Sequence, residues 1–382
     1  KVDGFFIPNV TLIGVGAAKA IPERIVYLNA TKPLLVTDKG IVHTGILKQI
    51  TDILDEAAME YAIYDETVPN PTDLNVAAGV ELYKKEECDS LISIGGGSSH
   101  DCCKGIGLVV SNGGKIHDYE GVDKSTKAMP PYLAVNTTAG TASEITRFCI
   151  ITDSARKVKM AIVDWRITPS VAINDPILMV GMPPALTAAT GMDALTHAVE
   201  AYIGKSNTKS TRDYAEKAVA IIFANLETAY KDGKNINARG QMLLGSFYGG
   251  MAFTRAYVGY VHAVAHNLGG MYGIPHGLAN AVILPVMLEE YGSAIYPQLS
   301  KLANFAGIEG TSDDDKAKKF IAEVYAMNER MNIPKGFTQI KEEDIPTIVS
   351  RALKEANPLY PVPVIFDEDR MTQIVKKLMI TE

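Results

Sequence analysis

The histidines are the first residues whose spacing suggests chemistry, because three of the seven lie within residues 254–285. His262 and His266 are four residues apart in an apolar run without proline, so on a helix they share one face. His276 stands between a proline and a glycine, which is typical of a turn. These three imidazoles are therefore candidates for one site.

A second pair lies upstream, where Asp193 and His197 are again four residues apart. A carboxylate and several imidazoles that converge from two helices would suit a divalent first-row metal. The alternative is that the pair lies on a helix surface and that the histidines fill core positions. Two such pairs with a third histidine in a turn favour the metal site.

Two small-residue stretches are candidates for a phosphate or ribose site. Residues 95–99, GGGSS, stand between a predicted strand and a predicted helix, where glycines and free N–H groups suit a phosphate. Residues 136–144, NTTAGTASE, follow another predicted strand and offer hydroxyl groups. Asp38 ends a predicted strand, where doubly wound folds hold ribose hydroxyls. A tight turn, a helix cap or a hydroxyl-rich loop would explain each feature equally simply.

Composition restricts the class of protein. The 382 residues are 47% hydrophobic and 21% charged, with a formal net charge of −7, which predicts large cores and about two domains. We expect no nucleic-acid or anionic-membrane partner because no basic stripe is present. The start of the chain resembles no signal peptide, and no apolar run is long enough for a membrane span. The four cysteines form no C-x-x-C pair, which favours a cytoplasmic location.

The predicted elements alternate in the first part of the chain and are helical in the second. Predicted strands cover residues 32–38, 61–64, 90–94 and 131–135. They alternate with helical patterns, so we expect a Rossmann-like α/β domain with a parallel sheet over residues 1–181. From residue 182 to residue 382 the patterns are helical throughout, and we predict an all-α domain. The active site is expected in a cleft between the two.

Five motifs together resemble the iron-containing (group III) alcohol dehydrogenase family, which includes 1,3-propanediol dehydrogenases, lactaldehyde reductases and NAD-dependent methanol dehydrogenases. They are GGGSSHD, TTAGTASE, INDP, GMDALTHAVEAY and GYVHAVAHNLGGMYGIPHG. The resemblance runs from Phe5 to about Leu302. It implies a metal held by Asp193, His197, His262 and His276, with His266 beside the nicotinamide. For NAD it implies contacts from Asp38, Asn70, Gly97, Ser98, Thr137, Thr138, Thr146, Phe148, Lys159, Leu178 and Gly181.

The chain departs from the family pattern at several positions. Ser99 replaces a common proline, and Ala142 replaces a common glycine. Arg255 and Tyr257 stand where many members have smaller residues, which concerns the substrate more than the reaction.

The expected function is an NAD- and Fe(II)-dependent alcohol dehydrogenase that interconverts a small primary alcohol and its aldehyde. His266 is the candidate for proton transfer. Zinc, manganese, cobalt or nickel also suit the ligand set. A glycerol or polyol dehydrogenase with zinc, a dehydroquinate-synthase-like lyase and a metal hydrolase are the alternatives. We expect a homo-oligomer, a dimer or larger.

Overall fold

The computed structural model describes residue 2 and residues 4–382, and these divide into two compact units. One unit consists of residues 6–138 and 142–182. The other consists of residues 183–382 together with Ala139–Thr141 and the described residues before Phe6. We call them the α/β unit and the helical unit.

The strands that the structure describes all lie in the α/β unit. They are β1 (Val10–Ile13), β2 (Pro33–Val36), β3 (Ala62–Tyr64), β4 (Ser90–Gly95), β5 (Gly121–Val122), β6 (Tyr132–Asn136), β7 (Phe148–Asp153), β8 (Val158–Val163) and β9 (Val171–Asn174). Six form a parallel sheet in the order β1-β9-β6-β4-β2-β3. In a second, small sheet, β8 pairs with β5 and, antiparallel, with β7.

Helices cover both faces of the parallel sheet. They are α1 (Ile21–Tyr27), α2 (Lys39–His43), α3 (Ile46–Glu56), α4 (Asp73–Lys85) and α5 (Gly97–Asn112). Successive strand residues face opposite sides of a sheet. Leu35 accordingly packs in one core with Ile50 of α3, while Leu34 packs in another with Val80 of α4 and Ile106 of α5. The unit is therefore a doubly wound α/β fold.

The strand order reverses at β2 and β4. β2 pairs with β3 on one side and with β4 on the other, and β4 pairs with β6. Because all are parallel, the carboxyl ends of β2, β4 and β6 meet at one edge of the sheet, which we call the strand-end edge. In doubly wound folds ligands bind at such an edge, where the order reverses.

Among the described residues, the helical unit has nine α-helices and two short 3₁₀ helices, and the α-helices form its core. They are α6 (Pro184–Ile203), α7 (Lys209–Lys231), α8 (Ile236–Ala256), α9 (Tyr260–Tyr272), α10 (His276–Tyr291), α11 (Tyr296–Phe305), α12 (Asp313–Arg330), α13 (Ile345–Ala356) and α14 (Glu368–Lys377). Every residue of α6 from Thr187 to Ile203 is buried. A helix that is buried on all sides forms the core of its unit, and side chains on it face other helices rather than water.

These elements confirm the predicted fold class. The four predicted strands correspond to β2, β3, β4 and β6, and the C-terminal part is helical as expected. None of the described helices combines the length and apolar character needed to cross a membrane. β1, β9 and the small sheet of β5, β7 and β8 were not predicted. The number of strands in the α/β unit was therefore underestimated by five.

Candidate active site

Three helices of the helical unit carry the predicted metal ligands. Asp193 and His197 lie on α6, His262 lies on α9, and His276 is the first residue of α10. One ligand atom from each of the four residues lies within 4.8 Å of the others. The structure therefore brings together the four side chains that the resemblance implies as ligands.

The Oδ1 atom of Asp193 lies at a similar distance from all three imidazoles. It is 3.6 Å from Nε2 of His197, 3.7 Å from Nε2 of His262 and 3.5 Å from Nε2 of His276. Bonds of about 2.1 Å to a tetrahedral cation place neighbouring ligand atoms about 3.4 Å apart. The spacing in the protein fits one four-coordinate divalent cation.

The amide of Asn280 shows where the lone pairs of these ligands converge. Its Nδ2 donates to Oδ1 of Asp193 at 2.7 Å and lies 3.2 Å from Nε2 of both His262 and His276. Three ligand atoms thus face one positively polarised group. A cation competes for the same lone pairs, so the donor set fits a metal.

Close packing of α10 against α6 positions His276. A side chain at Gly277 would come within 2.7 Å of the carbonyl oxygen of Ala189, so only glycine allows this approach. The glycine lets α10 begin next to the turn of α6 that carries Asp193. In the segment Pro275–Gly277, the glycine therefore allows the close packing of α10 on α6, and His276 supplies the candidate ligand.

The titration of the ligands differs with their surroundings. Burial lowers the pKa of His197 to about 3, so this imidazole is neutral, as a metal ligand must be. Burial also opposes a charge on His262, but its hydrogen bonds with Asp193 and Glu200 outweigh this and raise its pKa to about 9. Burial would raise the pKa of Asp193, yet the neighbouring imidazoles hold it well below its usual value. The centre therefore retains a buried carboxylate.

Glu200 orients His262. Its Oε1 lies 2.5 Å from Nδ1 of His262, and its Oε2 accepts the backbone N–H of Val261 at 3.1 Å. With Nδ1–H donated to Glu200, the neutral ring of His262, which is the form a metal binds, has its lone pair on Nε2, the atom that faces Asp193. A carboxylate behind a ligating histidine is the usual arrangement in metal sites.

His266 lies beside the ligands and is not among the four. Its ring stacks on that of His276, with 5.4 Å between centroids, and lies 6.0 Å from the ring of His262. Its Nδ1 is 2.9 Å from Oε2 of Glu355. The structure therefore keeps His266 near the centre but engages it with a different carboxylate.

Several residues proposed for NAD binding lie at the strand-end edge of the α/β unit. Gly97 and Ser98 begin α5 directly after β4, and Thr137 and Thr138 follow β6. Gly96 approaches Thr138 so closely that a side chain there would come within 3.0 Å of Thr138 Cγ2. The first turn of α5 thus combines close backbone approach with the unpaired N–H groups that suit a phosphate.

Asp38 and Asn70 occupy specialised backbone positions. Asp38 is the N-cap of α2, and its Oδ1 accepts the N–H of Ile41 at 2.8 Å. Asn70 has a positive φ of 55° in the loop before α4. Asp38 is therefore a helix cap, as the simpler explanation predicted, and this role uses its Oδ1 atom.

The remaining proposed NAD contacts come from later segments of the α/β unit. Thr146 directly follows a short 3₁₀ helix, Phe148 begins β7, and Lys159 lies on β8. Leu178 lies in a second 3₁₀ helix, and Gly181 lies in the turn after that helix.

A buried lysine organises part of this group. The Nζ of Lys104 donates to the carbonyl oxygens of Ser143 and Phe148 at 2.7 and 2.9 Å, and to Oγ1 of Thr146 at 3.3 Å. The side chain is fully buried. Asp101 accepts a hydrogen bond from Ser143 Oγ at 3.0 Å and supplies a nearby negative charge. The loop after β6 is therefore anchored to α5 by a buried charge.

The substitution of Ala142 for a glycine has a visible consequence. Ala142 has φ 57° and ψ 19°, the left-handed conformation that glycine adopts freely and alanine does not. The loop keeps the glycine-type turn at this position with an alanine in it.

A second group of possible ligands consists of Asp73, His117 and Asp153 in the α/β unit. Nε2 of His117 is 3.7 Å from Asp73 Oδ2 and 3.4 Å from Asp153 Oδ2. The guanidinium of Arg156 already donates to Asp153 Oδ2 at 2.6 Å. Because that oxygen already accepts a hydrogen bond from the positively charged Arg156, these three residues are a weaker candidate metal site than the group centred on α6.

Sequence reasoning assigned no role to four residues that now contact the site residues. They are Lys104, Glu200, Asn280 and Glu355. Glu200 is three residues after His197 and Asn280 is four after His276, so helical spacing could have indicated both. Glu355 is 89 residues from His266, and no local pattern marks it.

Comparisons with known proteins agree with this geometry. Residues 8–176 match the family model described as iron-containing alcohol dehydrogenase, and residues 187–379 match the C-terminal model of the Fe-containing alcohol dehydrogenase family. The chain belongs to the iron-containing alcohol dehydrogenase family. Its members named below are oxidoreductases, and so is this protein.

Individual relatives support the assignment to the family. The chain is 44% identical to alcohol dehydrogenase 4 of Saccharomyces cerevisiae over 379 residues, which cover 99% of this chain and 98% of that protein. It is 45% identical to 1,3-propanediol dehydrogenase of Klebsiella pneumoniae over 359 residues, 92% and 93% of the two chains. A crystal structure of 1,3-propanediol oxidoreductase superposes with a TM-score of 0.95 at 43% identity, over 99% of this chain and 100% of that one.

Proposed function

We propose that this alcohol dehydrogenase uses NAD and Fe(II) to interconvert a small primary alcohol and its aldehyde. The observation that carries the proposal is the convergence of Asp193 Oδ1 and three imidazole Nε2 atoms at the spacing of a four-coordinate cation. Such a group is a natural site for a Lewis acid in an enzyme of this family.

The proposed metal ligands are Asp193, His197, His262 and His276. A divalent cation bound there would polarise the oxygen of the alcohol or aldehyde. Iron is proposed because the family models that match the chain are described as iron-containing. Imidazole and carboxylate ligands also suit zinc, manganese, cobalt or nickel, so the metal is one variable of the test.

The proposed NAD site is the strand-end edge of the α/β unit. The N-terminus of α5 at Gly97 and Ser98 would hold the pyrophosphate, and Asp38 and Asn70 would hold ribose hydroxyls. Two further relatives support the choice of cofactor. One is described as an NAD-dependent methanol dehydrogenase of Bacillus methanolicus, at 42% identity. The other is a sulfoacetaldehyde reductase of Bifidobacterium kashiwanohense, at 28% identity, whose structure is a complex with NAD+.

His266 is the proposed proton acceptor. Oxidation of a primary alcohol converts R–CH2OH and NAD+ into R–CHO, NADH and one proton, so the hydroxyl proton must leave while the hydride moves to the nicotinamide. His266 is next to the ligand group without belonging to it, and Glu355 engages its Nδ1. We propose that Nε2 of His266 takes the hydroxyl proton when the alcohol is oxidised and returns it when the aldehyde is reduced.

Arg255 and Tyr257 support a small substrate. Arg255 lies in the last turn of α8, and Tyr257 directly follows this helix, three residues before α9 begins. Tyr257 has a positive φ of 67°. We propose that the Tyr257 side chain restricts the alcohol to short chains. Replacing Tyr257 with glycine should admit longer alcohols, and an unchanged chain-length preference would contradict this part of the proposal.

The test is a spectrophotometric assay after anaerobic reconstitution. Metal-free protein is loaded separately with Fe²⁺, Zn²⁺, Mn²⁺, Co²⁺ or Ni²⁺ and mixed with NAD+ and a panel of alcohols. We expect net NADH formation, highest with Fe²⁺ and a short primary alcohol. Consumption of substrate without net NADH would instead indicate a lyase that regenerates its cofactor.

A matched control separates the site from general effects of losing a histidine. His43 is an exposed histidine on α2. The variant His43→Ala should keep full activity, whereas His262→Ala should lose it. Equal activity of the two variants would exclude the proposed centre.

A further inference from the structure

The two histidines on one face of α9 each meet a glutamate through Nδ1. His262 faces Glu200 at 2.5 Å, and His266 faces Glu355 at 2.9 Å. The first pair orients a proposed metal ligand. In the second pair the carboxylate also meets Nδ1 of a histidine, but this histidine is not one of the four proposed metal ligands.

Glu355 is brought to His266 by tertiary packing. It is the penultimate residue of α13, and α13 packs along α9. The side chains of His266 and Glu355 are 16% and 27% exposed, so the pair lies largely out of water. A carboxylate there serves as a fixed acceptor rather than a freely moving surface group.

Tyr360 fixes the same carboxylate oxygen. Its hydroxyl donates to Oε2 of Glu355 at 3.0 Å, and this is the oxygen that meets His266. Burial, together with the charge of Glu355, raises the pKa of Tyr360 well above its usual value, so the hydroxyl remains a donor. Glu355 therefore has a second partner that restricts its rotation.

We propose that Glu355, held by Tyr360, is a positioning residue that sets the tautomer and ring orientation of His266. A carboxylate acceptor requires the proton of the neutral ring to be on Nδ1. The lone pair is then on Nε2. The use of that lone pair for proton transfer rests on the proposed function, but the tautomer itself does not.

The consequence for the reaction is geometric. A ring that could rotate or exchange tautomers would present an N–H or a carbon edge to the substrate for part of the time. With Glu355 in place, one nitrogen is always engaged, and the other is always the one available. Loss of Glu355 should therefore reduce turnover without weakening the binding of metal or NAD.

The direct test is nitrogen NMR of the metal-free and the Zn²⁺-loaded protein with ¹⁵N-labelled histidine. The His266 signals are assigned with His266→Ala. We expect the Nδ1–H tautomer in the wild type, a mixture or the opposite tautomer in Glu355→Ala, and retention of the Nδ1–H form in Glu355→Gln, whose amide oxygen can still accept. An Nε2–H tautomer in the wild type, or no change in Glu355→Ala, would overturn the proposal.

Kinetics provide the second arm. For the alcohol that gives the highest rate, kcat of Glu355→Ala should fall by roughly 10- to 100-fold, less than the roughly 10²- to 10⁴-fold contributed by a general acid–base group itself, because the imidazole remains. Metal content and the Kd of NAD should stay within about twofold of wild type, and Glu355→Asp should recover part of the rate. Tyr360→Phe should show a smaller loss of the same kind.

The two arms fail separately. If no alcohol yields NADH, the proposed function is wrong while the NMR result still decides the role of Glu355. If the tautomer changes and kcat does not, Glu355 positions the ring but has no role in turnover. If metal content falls together with kcat, Glu355 acts on the metal centre and the proposal is wrong.

Discussion

The candidate metal centre and the strand-end edge are built in different ways. In the helical unit, rigid helices present the ligands, and the period of the helix fixes Asp193 relative to His197. In the α/β unit, the proposed NAD contacts are spread over turns, and a buried lysine holds one of those turns to α5. Spacing in sequence is therefore informative about the first region and much less so about the second.

The largest expected effect separates the two regions. Asp193→Asn removes the one negative charge among the four proposed ligands, so activity should fall by at least about 10³-fold with metal loss. The Kd of NAD, measured by titration calorimetry, should change by less than about threefold, because the proposed NAD contacts lie in the other unit. A comparable loss of NAD binding would show that the regions are not independent.

The reverse experiment perturbs the strand-end edge. Lys104→Met removes a buried positive charge. The oxygen atoms that accept hydrogen bonds from Lys104 lose their donor, and Asp101 loses a nearby opposite charge, so the free energy of unfolding should fall by about 3 kcal/mol. Denaturant unfolding measures this. NAD affinity should also decrease, while metal content per folded chain should remain that of the wild type. Unchanged stability would mean that the loop does not depend on Lys104.

The effect of Glu200 is expected to be intermediate. Glu200→Gln weakens the acceptor behind His262 and should lower metal affinity by roughly 10- to 100-fold, measured by competition with a chelator. Glu216→Gln is the control, because Glu216 contacts Tyr202 and no ligand. Equal metal affinity of both variants would remove Glu200 from the metal centre.

A smaller change is expected at Asp38. Replacing Asp38 with glycine removes a carboxylate that would repel the additional phosphate of NADP, so the preference for NAD over NADP should fall by about tenfold. The ratio of kcat/KM with the two cofactors measures it. Because Asp38 also caps α2, stability is measured in parallel. Unaltered cofactor discrimination would leave Asp38 as a cap alone.

The last expected effect concerns the dependence of stability on pH. Burial raises the pKa of Glu144 to about 7, above its value in the unfolded chain. The folded state then holds a proton that the unfolded state releases, so this contribution to stability is present below about pH 4.5 and is lost as pH rises through 7. Glu144→Gln should reduce the fall in stability between pH 5 and pH 8 by about 2 to 3 kcal/mol, because each unit of pKa shift corresponds to about 1.4 kcal/mol. An identical pH profile would contradict the shift.

The sequence predicted most of what depends on periodicity. Asp193 and His197 share a face of α6 because four residues are about one helical turn, and the resemblance joined His262 and His276 to them. Three of the four predicted strands, β2, β4 and β6, are apolar segments that are buried along their whole length. The strands that were missed include short or partly exposed segments such as β1 and β5, which lack that signal.

What could not be predicted depends on tertiary packing. The contacts of Glu355 with His266 and of Lys104 with Ser143 join residues 89 and 39 positions apart in the chain. No period or motif relates such residues, because a helix or a loop from elsewhere in the chain brings them together. The structure was needed to find them.

The central claim is that one divalent cation is held by Asp193, His197, His262 and His276. Anomalous diffraction at the metal edge, from crystals of protein loaded anaerobically with Fe²⁺, tests it most directly. We predict one peak per chain, about 2.1 Å from Oδ1 of Asp193 and from the three Nε2 atoms. No peak there, or a peak held instead by Asp73, His117 and Asp153, would contradict the account.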